Sequence, residues 1–195
     1  MICINHLKIG GMWYAAAIGD EKVFATAFSA TEKGVLQELL ESLPYNISFQ
    51  MAEKSSPLSA ELLKTLKAIF DGKDVSVHFE VAMDHMPTYT RRVLECTSMI
   101  PVGYLTTYGA IAKTVGGSPR AVGNAMAYNP FPLLIPCHRV VRADFSIGGY
   151  GGGEEIKLEL LQREDRGYEE DRKVKINGET LLLFPVKRLR KTEDG

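Results

Sequence analysis

Cysteine is scarce in this chain. There are three among 195 residues, Cys3, Cys96 and Cys137, widely spaced and odd in number. That excludes a disulfide framework, leaves open only whether Cys3 and Cys96 pair, and fits a reducing, cytoplasmic setting. No two cysteines have zinc-finger spacing, and Cys3 with His6 is a lone C-x-x-H that reads as coincidence, so no metal is predicted. A run of about 18 apolar residues is also missing, so no transmembrane helix is read and no membrane partner is expected. The opening MICINHLKIGG lacks the charged-then-apolar order of a secretory signal. Repeats and low-complexity tracts are absent too. What remains is a globular composition, 45% hydrophobic and 24% charged, sufficient for one large domain or two small ones.

Net charge is −1, yet acid is nearly missing from the middle of the chain. Residues 85–142 hold Arg91, Arg92, Lys113, Arg120, Arg139 and Arg142 against Glu95 alone, a net of +5 between acidic flanks. Such a segment suits a polyanion-binding surface, and it equally suits a solvated basic surface.

The N-terminal part reads as α+β. MWYAAAIGDEKVFATAFSAT predicts two strands joined at Gly19-Asp20. TEKGVLQELLESL predicts a helix capped by Thr31, with Val35, Leu36, Leu39, Leu40 and Leu43 on one side. SPLSAELLKTLKAIFDG predicts a second helix ended by Gly72, and VSVHFEVAM alternates like a strand. After DHMP the chain turns helical, beginning with TYTRRVLECTSMI. TTYGAIAKTVGGSPRAVGNAMAYNP then reads as helix, Gly-Gly-Ser turn, helix, with Thr106 or Thr107 capping the first, Ser118 capping the second and Pro119 at its first position. This is a helix-turn-helix pattern, shared with any αα-hairpin. In its second helix Ala121, Gly123, Ala125 and Ala127 are small, and only Arg120 and Asn124 reach far. Small residues permit close, sequence-independent docking on DNA, with the minor groove a candidate, or close packing inside the protein. Near the C-terminus, Asn177-Gly178 within KVKINGETLLLF is a hairpin signal, and the basic VKRLRKTEDG beyond it reads as a frayed end or a DNA contact.

The segment NPFPLLIPCHRVV, Asn129 to Val141, is the least like a core strand. A nucleophilic cysteine needs a base or a cation to become a thiolate. Cys137 has His138 beside it, but neighbours in a regular strand face opposite ways. Pro132 and Pro136 argue for a bent backbone instead. A histidine base wants an acceptor on its other nitrogen. In GGEEIKLELLQRE, Ile156, Leu160 and Glu164 lie at i, i+4 and i+8, so Glu164 shares the core-facing side. Against this stand two plainer readings, a helix-end glutamate in solvent and an inert buried thiol.

IPCHRVV, preceded by Asn129, Pro130 and Pro132, resembles the active-site signature of the O6-alkylguanine-DNA alkyltransferases (methylated-DNA–protein-cysteine methyltransferases). The resemblance runs from about Val93 to Glu164 and takes in Y-A-A, RAVG-AM, NP-P--IPCHRV, GGYGGG and K--LL--E in order. It does not extend clearly into residues 1–80 or over 170–195. It implies that Cys137 is the alkyl acceptor, that His138 is its base through a water, that Glu164 orients the imidazole, and that Asn129 holds the turn. It further implies that Arg120 fills the space left by an extruded nucleotide and that Tyr108 helps rotate that nucleotide out and contacts the flipped guanine. Ala121, Gly123 and Asn124 would lie on the DNA-facing helix. Met126, Pro132 and Tyr150 would line the guanine pocket, with backbone groups of Cys137, Val140 and Gly151 reading the base edge. Two departures stand out: many relatives carry serine where Gly151 stands, and Pro119 stiffens the entry to the second helix.

The expected fold is thus α+β. It comprises a sheet-and-helix domain over 1–84, a mainly helical domain over 85–170 with the helix-turn-helix and the cysteine, and a tail over 171–195 with a β-hairpin. The expected activity is single-turnover reversal of O6-alkylguanine in double-stranded DNA, by a monomer without a cofactor. The rival readings are a non-catalytic binder of alkylated DNA and a cysteine hydrolase.

Overall fold

The computed structural model describes residues 1–190, and the chain forms two compact units. The first comprises Met1–Met86 together with Asn129–Leu134; the second comprises Pro87–Tyr128 and the chain from Ile135 onward. The last five residues of the expected frayed end lie outside the described residues.

The first unit is built on a sheet of β1 (Ile2–Ile9), β2 (Met12–Gly19), β3 (Lys22–Ser29) and β4 (Phe49–Met51), in the order β3-β2-β1-β4. The first three run antiparallel and β4 lies parallel to β1. The β2–β3 turn falls one residue later than Gly19 suggested. Gly19 pairs with Lys22 in the ladder, and Asp20 and Glu21 take the left-handed positions, φ 49° and 61°, that this tight turn demands. Ile2, Ile4, Ala15, Ala17, Ala25 and Ala27 form one buried face with Val35 and Leu39 of α1 (Glu32–Glu41). On the opposite face Tyr14 and Phe28 meet Phe70 of α2 (Pro57–Phe70), with ring centroids 6.1 and 5.5 Å away. Thr31 and Ser56 cap the two helices, each accepting from a backbone N–H three residues on.

The stretch VSVHFEVAM alternates, but residues 75–83 do not form a strand. Only Val81 bridges Val23: Val23 N–H donates to Glu80 O at 2.8 Å and Ala82 N–H to Val23 O at 2.8 Å. The next outward N–H on the β3 edge, that of Thr26, is already given to Pro130 O at 2.8 Å. An alternating pattern becomes a strand only along an edge free to pair with it, and this edge is shared.

The second unit contains α3 (Thr88–Ser98), β5 (Tyr104–Thr107), α4 (Tyr108–Val115), α5 (Pro119–Ala127), β6 (Val140–Val141), α6 (Glu154–Glu164), β7 (Arg172–Ile176) and β8 (Glu179–Pro185). Its sheet runs β6-β5-β8-β7. Thr107 caps α4, whereas Thr106 donates its hydroxyl to Leu182 O at 2.6 Å. Ser118 caps α5 with Pro119 at its first position. The β7–β8 hairpin turns at Asn177-Gly178, both with positive φ, and buries Leu181 and Leu183 against α3, α4 and α5 in the unit's core. Residues set apart by sequence as a tail thus extend the sheet that carries the cysteine loop. No disulfide joins Cys3, Cys96 or Cys137. Among the described residues, no helix is long and apolar enough to cross a membrane.

The α4–α5 turn rests on two glycines with left-handed φ, 85° at Gly116 and 91° at Gly117. A Cβ on Gly117 would sit 2.5 Å from the Tyr89 hydroxyl, which donates to Gly116 O at 3.1 Å; a Cβ on Gly116 meets nothing. Gly116 also has ψ 169°, a combination nearly confined to glycine, so Gly116→Ala should lose about 1–3 kcal/mol in urea unfolding from backbone strain alone, and Gly117→Ala should lose more.

Candidate active site

The backbone reaches Cys137 through three unusual conformations. Leu133 is left-handed, φ 72°. Pro136 then takes φ −79° and ψ 63°, and Cys137 N–H donates to Ile135 O at 2.8 Å, which makes an inverse γ-turn. Cys137–Arg139 finally form one 3-10 turn. Successive side chains in that turn diverge by about a third of a revolution. Cys137 is left half-buried, while His138 and Arg139 point inward. The bend expected from the prolines is present, and it is a helical turn rather than an irregular strand.

Glu164, the last residue of α6, is fully buried. Its Oε1 lies 2.9 Å from His138 Nε2 and accepts from Arg139 Nη2 at 2.8 Å, while Oε2 accepts from Arg139 Nε at 2.8 Å. Arg139 Nη1 donates to Ile100 O. This is a bidentate carboxylate–guanidinium pair with an imidazole sharing one oxygen. The solvent-facing alternative for Glu164 does not hold. Nor is Arg139 part of a basic surface, although its place in the basic segment suggested one.

Burial lowers the His138 pKa below its usual value; Glu164 pulls it back up, while Arg139 and Lys157 add to the lowering. The imidazole is therefore neutral at pH 7. Burial pushes Glu164 the other way, upward, but His138 and Arg139 outweigh it and hold the carboxyl at about 2. An ionised carboxylate only accepts hydrogen bonds, so Nε2 of the neutral ring carries the proton. Nδ1 then presents a lone pair, and it is buried with no hydrogen-bonding partner from the protein.

Lys157 completes the array and was missed as an individual residue. It is fully buried; its Nζ donates to Val140 O at 2.6 Å and Gly149 O at 3.3 Å and lies 5.9 Å from the centre of the Tyr108 ring. Burial lowers its pKa to about 8, opposed by the attraction of a Cys137 thiolate and of Glu154. The periodicity that pointed to Glu164 pointed to Lys157 as well, because Lys157, Leu160, Leu161 and Glu164 fall at i, i+3, i+4 and i+7.

Tyr108 opens α4. Burial raises its pKa, as does Cys137, against Arg142. The Tyr150 ring stands edge-on to His138 at 6.5 Å. Met126 and Val140 are buried in the cluster on which Tyr108 and Cys137 pack. Gly151 is exposed, and a Cβ there meets nothing within 4 Å, so the place of serine in relatives is sterically open. On α5, Arg120 and Asn124 are exposed, Ala121 and Gly123 half-buried, and Val122, Ala125 and Met126 face the core. The small residues of this helix thus split between the two readings. Asn129 and Pro132 belong to the first unit. There Asn129 Oδ1 accepts from Phe131 N–H at 3.0 Å, a local turn of the kind asparagine favours.

Both pKa shifts in the buried pair have the same sign for stability. Each group has a folded pKa below its unfolded value, so the unfolded chain binds the extra proton. The contribution is full at neutral pH. It should fade first as pH falls below about 6.5, where unfolded histidine protonates, and again from about 4.5 toward 2 as Glu164 is lost. Glu164→Gln should remove the lower step in urea titrations across pH and cost about 3–5 kcal/mol at pH 7, because Arg139 stays buried without its counter-charge.

Residues 88–166 match the family model described as the DNA-binding domain of 6-O-methylguanine DNA methyltransferase. The methylated-DNA–protein-cysteine methyltransferase of Methanothermobacter thermautotrophicus is 42% identical over 114 residues, 57% of this chain and 65% of that protein. This chain therefore spans a little under two-thirds of that relative. The protein of the same name from Thermococcus barophilus is 33% identical over 172 residues, 84% of this chain and 96% of its own. The crystal structure of the O6-methylguanine-DNA methyltransferase from Pyrococcus kodakaraensis superposes with a TM-score of 0.65 at 29% identity, covering 84% of this chain and 99% of that one. With identity of this order across nearly the whole of a relative, and the cysteine turn and its buried glutamate inside the matched region, the chain belongs to the methylated-DNA–protein-cysteine methyltransferase family.

Proposed function

We propose that this protein repairs DNA by moving the alkyl group of O6-alkylguanine onto its own Cys137, once per molecule. One observation carries the reading: a half-buried cysteine is followed in the chain by a buried histidine whose Nε2 is committed to a buried glutamate and whose Nδ1 is not.

In this reading Nδ1 of His138 receives the Cys137 thiol proton through a water. The Lys157 ammonium favours the thiolate that results. Sulfur attacks the alkyl carbon in line, a C–S bond forms, and the C–O6 bond breaks with its electron pair going to the guanine. The Tyr108 phenol, which burial keeps protonated, supplies the proton that makes guanine the leaving group. Nothing is oxidised or reduced, so the step needs no cofactor. The product is a thioether with no good leaving group, which limits each molecule to one event.

The target atom lies inside a base pair, so the nucleotide must leave the stack. Arg120 and Asn124 on the exposed side of α5, with low Ala121 and Gly123 between them, suit a helix lying close in the minor groove. Arg120 takes the place of the extruded nucleotide, and Tyr108 turns it out. Asn129 keeps the turn in shape. Tyr108, Met126, Val140, Tyr150 and Gly151, all of the second unit, receive the guanine.

Incubation with a duplex containing O6-methylguanine should raise the intact mass by one methyl group, located on Cys137 by peptide mapping, and the gain should stop at one per molecule. Cys137→Ala should bind the same duplex and gain nothing. A wild-type protein that binds and stays unmodified would be a non-catalytic binder, and one that removes the methyl repeatedly without gaining mass would be a hydrolase.

A further inference from the structure

Arg142 directly follows β6 and is exposed, yet the backbone beneath it is fixed. Its N–H donates to Ser146 O and its carbonyl accepts from Phe145 N–H, both at 3.0 Å, which closes a tight loop. Phe145 is left-handed there, φ 63°, and its ring stands edge-on to that of Phe184 at 5.1 Å. The stem of Arg142 lies over Gly148, a buried glycine with φ 69°. The Cβ that Gly148 lacks would sit 3.4 Å from Arg142 Cγ and 3.4 Å from Tyr108 Cε2. Arginine stem and tyrosine ring thus flank the same bare piece of backbone. Tyr108 in turn packs with Cys137 on one core cluster. Arg142 is therefore an exposed cation next to two groups assigned to the reaction.

We propose that Arg142 binds a phosphate flanking the extruded guanosine and so holds that nucleotide while its base lies against Tyr108 and Cys137. This deepens the proposed function and rests on its extruded nucleotide, though not on methyl transfer. An extruded base stays joined to its sugar and phosphates, which remain outside while the base enters. A guanidinium meets phosphate oxygens with two parallel N–H donors, and such contacts position DNA without reading its sequence. The charge is close to the phenol as well as the stem: burial and Cys137 raise the Tyr108 pKa, and Arg142 opposes them. A second cation, Lys157 Nζ, lies 5.9 Å from the centre of the same ring. Two positive charges around one phenol suit an anionic substrate. Asp144, the nearest acid along the chain, is committed elsewhere, accepting from Ser146 N–H at 3.0 Å and from the Ser146 hydroxyl at 2.7 Å.

The test is equilibrium binding to a duplex holding one O6-methylguanine. Cys137→Ala, which cannot react, serves as the parent, and Arg142→Ala and Arg142→Lys are each added to it. Two further duplexes each replace one phosphate flanking the modified guanosine with a neutral methylphosphonate. Arg142→Ala should weaken binding roughly tenfold, the scale of one charge-assisted hydrogen bond, and lower the slope of log K against log salt by about 0.9. Arg142→Lys keeps the charge, so it should keep the slope and lose less affinity. On one of the methylphosphonate duplexes the parent should bind as weakly as Arg142→Ala binds the natural one, and Arg142→Ala should lose nothing further. Parent affinity and slope in Arg142→Ala would overturn the proposal. So would a lysine slope as low as the alanine one, or losses that simply add on both methylphosphonate duplexes. A wild-type protein that gains no methyl would end the alkyl-transfer reading, while the binding measurements still decide for or against Arg142.

Discussion

The structure around the cysteine depends on what surrounds one buried charge. Glu164 has no solvent to ionise into, and a lone buried carboxylate would simply take up a proton. Arg139 keeps it charged through a bidentate pair, and that charge in turn fixes which nitrogen of His138 holds the proton. Arg139 and His138 are consecutive, so the single carboxylate at the end of α6 pins two successive residues of a short turn. Val140, the next residue, is pinned independently, by pairing with Thr106 in β5 and through its carbonyl by Lys157. Cys137 is the one member of the Cys137–Val140 run left half-open. A buried ion pair is poor value as stabilisation, since apolar residues of equal volume often do as well. Its merit here is positional: with His138 and Arg139 held on one carboxylate and Val140 held by its backbone, the half-buried Cys137 is presented reproducibly.

The prolines upstream solve the complementary problem. A chain that leads into this turn cannot be allowed to extend a strand. Proline removes donors, fixes φ and leaves carbonyls to be gripped. Pro130 and Pro132 are gripped by Thr26, and Pro136 closes the inverse γ-turn on which the 3-10 turn begins. The composition that disqualifies Asn129–Val141 as a core strand is the composition a non-repeating path requires.

Much of this was legible in the sequence, for reasons that differ from residue to residue. Helix caps at Thr31, Thr107 and Ser118, and the hairpin at Asn177-Gly178, are local chemistry and read directly. Helical spacing set Glu164 on an apolar stripe but fitted a solvent-facing helix end as well, and it was the family resemblance that singled it out. Arg139 was not, because nothing local says whether an arginine in a basic stretch faces water or a carboxylate 25 residues away. Lys157 lay on the same stripe as Glu164 but was passed over as one letter of a pattern. The failed strand at 75–83 has the same cause in reverse: alternation is a property of the segment, whereas pairing depends on a β3 edge that Pro130 had partly taken. Strand β1 went unread, although Ile2 and Ile4 lie on the same buried face as the alanines of β2 and β3.

The central claim is that Glu164, kept ionised by Arg139, holds His138 as a neutral imidazole protonated on Nε2, with Nδ1 bare as the base for Cys137. Nitrogen-15 NMR of the His138 side chain, assigned by comparison with a His138→Gln variant, tests it most directly. The account predicts the neutral Nε2–H tautomer at pH 7, with protonation well below the usual histidine range. An imidazolium at pH 7, or a neutral ring carrying its proton on Nδ1, would contradict it.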